Sequence, residues 1–276
     1  MKKIRTDIPL NYITIKTTKS RIDKGLLAIP VSLIEIFPKS ETKIYLIDEN
    51  GKEETKNFTP YNSSSRECRI GGLKNFYEKY GISDGDELVI QLLDDEKYKI
   101  IPEKIFENTL MKEFHEFEKI KEEELLEEKL DSISKLANST KQDILKNEFV
   151  RLSNSEIKQR KSTTRNITTR ENVPFALRKI LLNLYKGKCQ VSNFTFLMKN
   201  GLPYFEIHHI DALKGNHFKN LLVVSPNVHA QFSHANLKQI FDSDGWLREV
   251  KFNDNFFKVN QIIDELPKYF EKEVHF

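Results

Sequence analysis

Hydrophobic and polar residues alternate along most of the first hundred residues. Residues 12–15 have the two-residue period of a strand, and the apolar run over residues 25–30 ends at a proline. Two further alternating runs flank Asn50-Gly51, a pair that accepts the positive φ of a tight hairpin. The remaining pattern predicts a short helix, a longer helix ended by a glycine and a final hairpin, over residues 31–37, 73–81 and 87–101. We therefore predict a β-rich domain over residues 1–102.

Residues 103–150 have helical rather than alternating periodicity, with no Gly or Pro in the stretch. Apolar residues recur at helical spacing: Ile105, Leu110, Phe114, Phe117, Ile120, Leu125, Leu130, Ile133 and Leu136. This pattern predicts one or two long amphipathic helices. The spacing is irregular for a strict heptad, which leaves two interpretations: a solvated spacer, or a coiled coil that pairs two chains.

The last hundred residues combine short apolar strands with a cluster of histidines. Five of the seven histidines lie between His208 and His234. A strand over residues 203–209 is followed by a loop, a second strand over residues 221–224 and a helix that begins at Pro226. We assign residues 171–276 to a second domain that ends in a helix, and residues 103–170 to a linker. The predicted fold class is α+β.

Charge is unevenly distributed along the chain. The 276 residues are enough for about two domains, and their formal net charge is only +3, so binding to nucleic acid must come from local patches. Residues 103–150 carry 13 acidic and 8 basic side chains, net −5, whereas residues 151–170 carry 6 basic and 1 acidic, net +5. The second stretch predicts a basic linker that contacts DNA phosphates. Five of its six cations lie within 13 residues: Lys158, Arg160, Lys161, Arg165 and Arg170.

Cysteine content and hydropathy restrict the location of the protein. Cys68 and Cys189 are the only cysteines, which excludes a disulfide framework and a four-cysteine zinc site. No apolar run approaches the roughly 18–20 residues that span a bilayer. The basic start leads into Thr6-Asp7-Ile8-Pro9 rather than into the apolar region of a signal peptide. We expect a cytoplasmic protein with no membrane partner.

The order of elements in residues 10–101 resembles the DNA-binding pseudobarrel of the B-three class of plant transcription factors, which is related to effector domains of some bacterial restriction enzymes. The similar features are the Ile29-Pro30 strand end with a helix after it, the hairpin over residues 48–52, and the stretch from Gly81 to Glu87 before a strand. The resemblance implies that two arms straddle the major groove of double-stranded DNA. The DNA-binding residues carried over by position are Lys16, Lys19, Ser20, Arg21, Lys24, Asn62, Ser64 and Arg66. Their chemistry is suitable, because Arg binds guanine, Asn binds adenine, and Ser binds bases or phosphates.

The second domain resembles an HNH nuclease, whose fold is a ββα-metal finger. The signature positions are His208-His209 at the end of a strand, Asn220 in the loop and His229 in the helix. The helix and Cys189 before this motif resemble McrA-type HNH nucleases most. The resemblance implies phosphodiester hydrolysis with His209 as general base, and a divalent metal ion on His208 and His229. Asn220 would order the loop opposite His209 or reach the metal; both roles remain open.

One departure from the family concerns structural zinc. Many HNH domains hold zinc between two C-x-x-C knuckles, but here the knuckle positions are Cys189-Gln190-Val191-Ser192 and Ser225-Pro226-Asn227-Val228. We therefore expect no structural zinc, and predict that packing holds the core, with Phe194, Phe196, Leu197 and Val228 as candidates. For the catalytic ion Mg²⁺ is favoured, and Mn²⁺, Ni²⁺ and Zn²⁺ are alternatives. The roles of His217 and His234 stay open, although a surface position is favoured for His217.

Together these resemblances favour a site-specific DNA endonuclease of the restriction type that acts on double-stranded DNA. We predict a homodimer on DNA, and a monomer that nicks is the competing outcome. A homing or mobile-element HNH endonuclease is one alternative. A DNA-binding regulator with an inactive nuclease domain is the other. The sequence does not specify the target or a requirement for modified bases.

Overall fold

The structure is a computed structural model that describes residues 2–61, 67–157 and 172–276. The chain divides into two compact units. The first comprises Met1–Glu113, Leu136–Asn138 and Phe270–Phe276, and the second comprises Phe114–Lys135 and Ser139–Tyr269. The basic linker residues predicted between 158 and 170 lie outside the described residues.

The two units contain both helices and strands. In chain order the first elements are β1 (Lys2–Thr6), β2 (Tyr12–Lys16), α1 (Lys19–Asp23), β3 (Leu27–Ile29), β4 (Thr42–Ile47), β5 (Glu53–Thr59), β6 (Cys68–Ile70), α2 (Lys74–Tyr80), β7 (Glu87–Asp94) and β8 (Lys97–Pro102). The following elements are α3 (Glu103–Lys119), α4 (Glu123–Ala137), α5 (Lys141–Ser153), α6 (Phe175–Tyr185), β9 (Phe196–Leu197), β10 (Pro203–Tyr204), β11 (Glu206–His209), β12 (Leu221–Val224), α7 (Pro226–His234), β13 (Leu237–Phe241), β14 (Leu247–Phe252), β15 (Asn255–Lys258) and β16 (Phe270–His275).

A nine-stranded sheet dominates the first unit, in the order β1-β16-β2-β7-β8-β4-β5-β6-β3. The predicted hairpins are confirmed, since β4 pairs with β5 and β7 pairs with β8, both antiparallel. Helix α2 ends as predicted, with Gly81 in the left-handed region at φ 61°, and the chain after Pro30 forms a short 3₁₀ helix (Val31–Ile36). The core has buried side chains from seven of the nine strands, including Ile15, Leu27, Ile29, Ile44, Phe58, Ile70, Leu88, Tyr98 and Ile100.

The last residues of the chain form a strand, so the prediction of a C-terminal helix is wrong. Strand β16 lies between β1, with which it is antiparallel, and β2, with which it is parallel. Phe270 and Val274 are buried, and Lys272 Nζ lies 2.9 Å from Glu87 Oε2 and 2.5 Å from Glu103 Oε1. Strand β16 forms hydrogen bonds with the backbone of both neighbouring strands. No local periodicity in residues 263–276 indicates such a strand.

Residues 103–153 form three helices, α3 to α5, rather than one or two. The second break lies at Asn138, which has a positive φ of 49°, and Thr140 then caps α5 by accepting a hydrogen bond from the Asp143 N–H at 3.1 Å. The apolar faces are buried, including Phe106, Leu110, Phe114, Phe117, Leu126, Leu130 and Ile133. Most of the apolar residues of these faces are buried within the chain and are not available to a coiled coil between two chains, and the homodimer itself stays a prediction. Parts of these helices belong to each of the two units. None of the described helices is long and apolar enough to cross a bilayer.

The second unit has a core without cysteine knuckles. Cys189 and Val228, from residues 189–192 and 225–228, are buried in one apolar cluster. The prediction that Val228 packs there is confirmed, whereas Phe194, Phe196 and Leu197 are exposed and the prediction for them is wrong. The cluster is completed by the antiparallel sheet β13-β14-β15, which contributes Leu247, Val250 and Phe252.

Candidate active site and DNA-binding surface

Two antiparallel strands and a helix carry the histidine cluster. Strand β11 pairs with β12, so that Glu206 lies opposite Val224 and His209 lies opposite Leu221. Helix α7 follows β12 directly, with Pro226 in its first turn and the Ser225 hydroxyl accepting from the Val228 N–H. Residues two apart on β11 share a face, and its last two residues therefore project to opposite sides.

His208 and His229 come together on one side of this unit. Their ring centroids are 5.2 Å apart at 71° between planes, as an edge-to-face pair. Phe232, one turn after His229 on α7, stacks on the His208 ring at 4.2 Å and 20°. The strand–helix contact therefore holds both imidazoles that the sequence pattern assigned to one metal ion.

Glu206 joins the same cluster, although it is not among the site residues predicted from the sequence. Its Oε2 atom lies 2.5 Å from Nδ1 of His229, and its Oε1 accepts a hydrogen bond from the Tyr204 hydroxyl at 3.0 Å. The signal available in the sequence was spacing, because Glu206 is two residues before His208 on a strand and shares its face. A carboxylate on Nδ1 fixes the ring orientation of His229 and directs Nε2 away from it.

Asn220 is bonded to the loop backbone, as the first of its two predicted roles requires. The side chain is buried and bonds only to backbone among the described residues. Its Oδ1 accepts from the Asp211 N–H at 2.8 Å, and its Nδ2 donates to the carbonyl oxygens of Asp211 and Gly215 at 2.8 and 2.9 Å. With both amide atoms engaged, Asn220 acts as a positioning residue for the turn that follows His209.

The other face of β11 presents His209 to this ordered loop. Its Nε2 lies 2.9 Å from Oδ1 of Asn216, a loop residue that the sequence analysis did not single out. An amide oxygen only accepts, so Nε2 carries the hydrogen and Nδ1 of the neutral ring keeps its lone pair. The geometry thus defines which nitrogen of His209 can take a proton.

The remaining histidines are outside this arrangement. The sequence favoured a surface position for His217, but the side chain is buried. Its Nε2 donates a hydrogen bond to the Ser155 carbonyl at 3.1 Å, and its Nδ1 accepts one from the Lys219 N–H. Burial lowers the pKa of His217, which keeps it neutral. His234 and His115 are exposed, and His275 is buried in β16 with Nδ1 2.9 Å from the Ser32 hydroxyl.

The donors fit a divalent ion held by imidazole. Within the described ranges, no three or more His, Cys, Asp or Glu side chains are grouped to hold one ion. That His208 and His229 are the ligands stays a prediction; their rings are adjacent, and Glu206 lies on the second ring, where an outer-shell carboxylate would lie. Such a set leaves coordination positions for water and phosphate oxygen.

The predicted DNA arms are only partly described. Lys19, Ser20 and Lys24 are exposed on and just after α1, and Lys16 is half-buried. Arg21 forms an ion pair with Glu67, which also binds Arg69, so its guanidinium already has a partner. The second-arm residues Asn62, Ser64 and Arg66 lie outside the described residues.

No protein-family model matches this chain, and no curated protein matches it. Solved structures that are similar to part of it include the following three. The Arabidopsis FUS3–DNA complex is 20% identical with a TM-score of 0.28, over 32% of this chain and 92% of that one. A hypothetical Arabidopsis thaliana protein is 19% identical with a TM-score of 0.28, over 36% and 89%. The N-terminal domain of Helicobacter pylori LlaJI.R1 is 12% identical with a TM-score of 0.26, over 32% and 76%. We base no assignment on similarities of this size.

Proposed function

We propose that the chain is a site-specific DNA endonuclease of the restriction type, with recognition in the first unit and phosphodiester hydrolysis in the second. The observation that carries the proposal is the joint placement of His208 and Glu206 on one face of β11 against His229 of α7, with His209 on the other face of the strand. Asn220, the remaining signature position, holds the intervening loop. An array with a proton acceptor, two metal-binding imidazoles and an ordered loop suits hydrolysis of a phosphate ester.

His209 is the general base. Its Nδ1 takes a proton from a water molecule while the water oxygen bonds to phosphorus and the bond from phosphorus to the 3′-oxygen breaks. The Nε2–H bond to Asn216 holds the ring and supports the positive charge that the imidazole acquires. The products are a 5′-phosphate and a 3′-hydroxyl whose proton comes from solvent.

His208 and His229 would hold the divalent ion, and Mg²⁺ remains the favoured one. When bound, such an ion offsets negative charge on the phosphate and the departing oxygen. Glu206 orients His229 by accepting its Nδ1–H, and Phe232 keeps the His208 ring in place by stacking. Both contacts form without substrate, so the two imidazole rings are already oriented when DNA binds.

Cleavage of methylated and unmethylated phage DNA and of supercoiled plasmid, with Mg²⁺, Mn²⁺, Ni²⁺ or Zn²⁺, tests the activity. We expect cuts at fixed positions, with loss of cleavage in His209→Ala but retained DNA binding, because the base acts only in the chemical step. His234→Ala is the matched control and should cleave normally. Failure of the wild-type chain to cut any of these DNAs with any ion would favour the DNA-binding regulator. Cuts only at one long site would favour the homing endonuclease.

Recognition by the first unit has a separate test. Lys19 and Lys24 are exposed cations on the first arm, so changing both to Ala should weaken DNA binding. The slope of log affinity against log salt concentration should fall by about one for each phosphate that these lysines bind. Lys39→Ala, an exposed lysine outside both arms, serves as control. Equal salt dependence in the double variant and the control would exclude this arm from the DNA interface.

A further inference from the structure

The hairpin β9–β10 exposes a row of large apolar side chains that no part of the proposed mechanism uses. Phe196 pairs with Tyr204 and Leu197 pairs with Pro203 across the two short strands. Phe196 is 45% exposed and Leu197 is 67% exposed. Their neighbours Phe194, Met198 and Leu202 are exposed as well. A hairpin with this many exposed large apolar side chains marks a contact with another molecule more often than single exposed residues do.

The aromatic rings of this hairpin form a row that leads to the candidate active site. Phe194 and Phe196 have centroids 6.1 Å apart, and Phe196 stacks on Tyr204 at 5.3 Å and 24°. The Tyr204 hydroxyl donates to Glu206, which in turn binds His229. Only Tyr204 and Glu206 therefore separate the exposed rings from a molecule bound at His229.

The charge of the residues around the hairpin indicates which class of molecule the hairpin contacts. Residues 172–205 contain five basic residues and no Asp or Glu: Arg178, Lys179, Lys186, Lys188 and Lys199. Lys186, Lys188 and Lys199 are exposed, and Lys199 is at the turn of the hairpin. A second copy of the chain would bring the same positive charge to a symmetric contact, which opposes pairing. Exposed aromatic rings among cations are instead the combination that binds nucleic-acid bases and their phosphates.

We propose that the β9–β10 hairpin is a base-stacking wedge, on which Phe194, Phe196 and Leu197 contact bases unstacked beside the scissile phosphate. Apolar side chains that enter a base step hold it open, and nearby lysines bind the flanking phosphates. The proposal rests on the proposed function for placing DNA at His229. It adds a substrate contact that distinguishes distorted from regular duplex.

The test measures binding by the full chain in EDTA, so that no cleavage is needed. The probes are a fluorescein-labelled duplex with a central bubble of unpaired adenines and the fully paired duplex of the same length. Wild type should prefer the bubble, and Phe196→Ala with Leu197→Ala should lower its affinity for the bubble about tenfold with little effect on the paired duplex. Phe256→Ala removes an equally large, 61% exposed ring on β15 and should keep the preference. Both side chains changed in the double variant are exposed, so its thermal unfolding should match wild type.

Several outcomes would overturn the wedge. These are equal binding of the two probes by wild type, an unchanged preference in the double variant, or loss of the preference in Phe256→Ala as well. A hairpin variant that turns a dimer into a monomer in sedimentation would assign the patch to a second copy instead. Because binding is measured without cleavage, a hairpin-dependent preference together with a wild type that cuts no DNA would defeat the proposed function but would still show that the hairpin binds unpaired bases.

Discussion

Nδ1 of His229 lies 2.5 Å from Oε2 of Glu206, which joins a residue of helix α7 to a residue of strand β11. The contact makes Glu206 the carboxylate partner of a proposed metal ligand, and it leaves Nε2 as the coordinating nitrogen. Tyr204 holds the other carboxylate oxygen, so the Glu206 side chain is fixed from both ends. Outer partners of this kind determine how well an imidazole is presented to an ion.

Glu206→Ala should therefore lower Mn²⁺ affinity about 10–100-fold, because His229 loses the partner that orients it. Isothermal calorimetry of the full chain measures this. Glu265→Ala removes an exposed carboxylate of the same unit and should leave the affinity unchanged. Wild-type Mn²⁺ affinity in Glu206→Ala would remove Glu206 from the metal site.

Asn220→Ala should reduce the free energy of unfolding by about 2–4 kcal/mol, because it removes the buried bonds that hold the loop at Asp211 and Gly215. Cleavage should fall with it, while Mn²⁺ affinity should change little, since the two proposed ligands are on other elements. Urea unfolding and calorimetry separate the two effects. Asn227→Ala, an exposed asparagine nearby on α7, is the control. A loss of Mn²⁺ binding without a loss of stability would instead indicate that Asn220 reaches the ion.

Ending the chain at Tyr269 should destabilise the first unit by about 3–6 kcal/mol, the value of burying the Phe270 and Val274 side chains. It also leaves β1 without its partner and one side of β2 unpaired. Removing only the exposed Phe276 is the control. Circular dichroism during urea unfolding should show an earlier transition for the longer deletion. Equal transitions for both deletions would show that β16 contributes nothing to the sheet.

The free energy of unfolding should fall as pH rises from about 4.5 to about 7, because Glu148 ionises in this interval. Burial raises the pKa of this carboxyl to about 7, although Arg151 beside it favours the charged form. The folded state then binds more protons than the unfolded state in this interval, so stability present at low pH is lost as Glu148 ionises. Glu148→Gln should flatten this part of the unfolding free energy against pH. If the unfolding free energy of Glu148→Gln depends on pH as that of wild type does, another group ionises in this interval.

Several local features of the fold could be predicted because neighbouring residues determine them. Asn50-Gly51 indicates the hairpin β4–β5, and Gly81 ends α2 because it adopts a positive φ without a Cβ clash. The order of His208, Asn220 and His229 along strand, loop, strand and helix was likewise visible, because β11, β12 and α7 follow one another closely in the chain.

Features that depend on partners distant in the chain could not be predicted. Asn216 and Glu206 acquire their roles only when the loop and α7 fold against β11. The sequence indicated apolar faces on the helices α3 to α5, but periodicity does not reveal what covers a face. Here most of these apolar residues are buried within the chain itself.

By itself the sequence determined the alternation, the turn residues and the nature of the candidate chemistry, since each depends on residues a few positions apart. Tertiary structure alone decided that residues 270–275 complete the sheet between β1 and β2, that Arg21 is paired with Glu67, and that Phe194, Phe196 and Leu197 face outward. The physical reason is that strand pairing, ion pairing and burial are relations between surfaces, and the free energy of each depends on what the rest of the chain brings next to it.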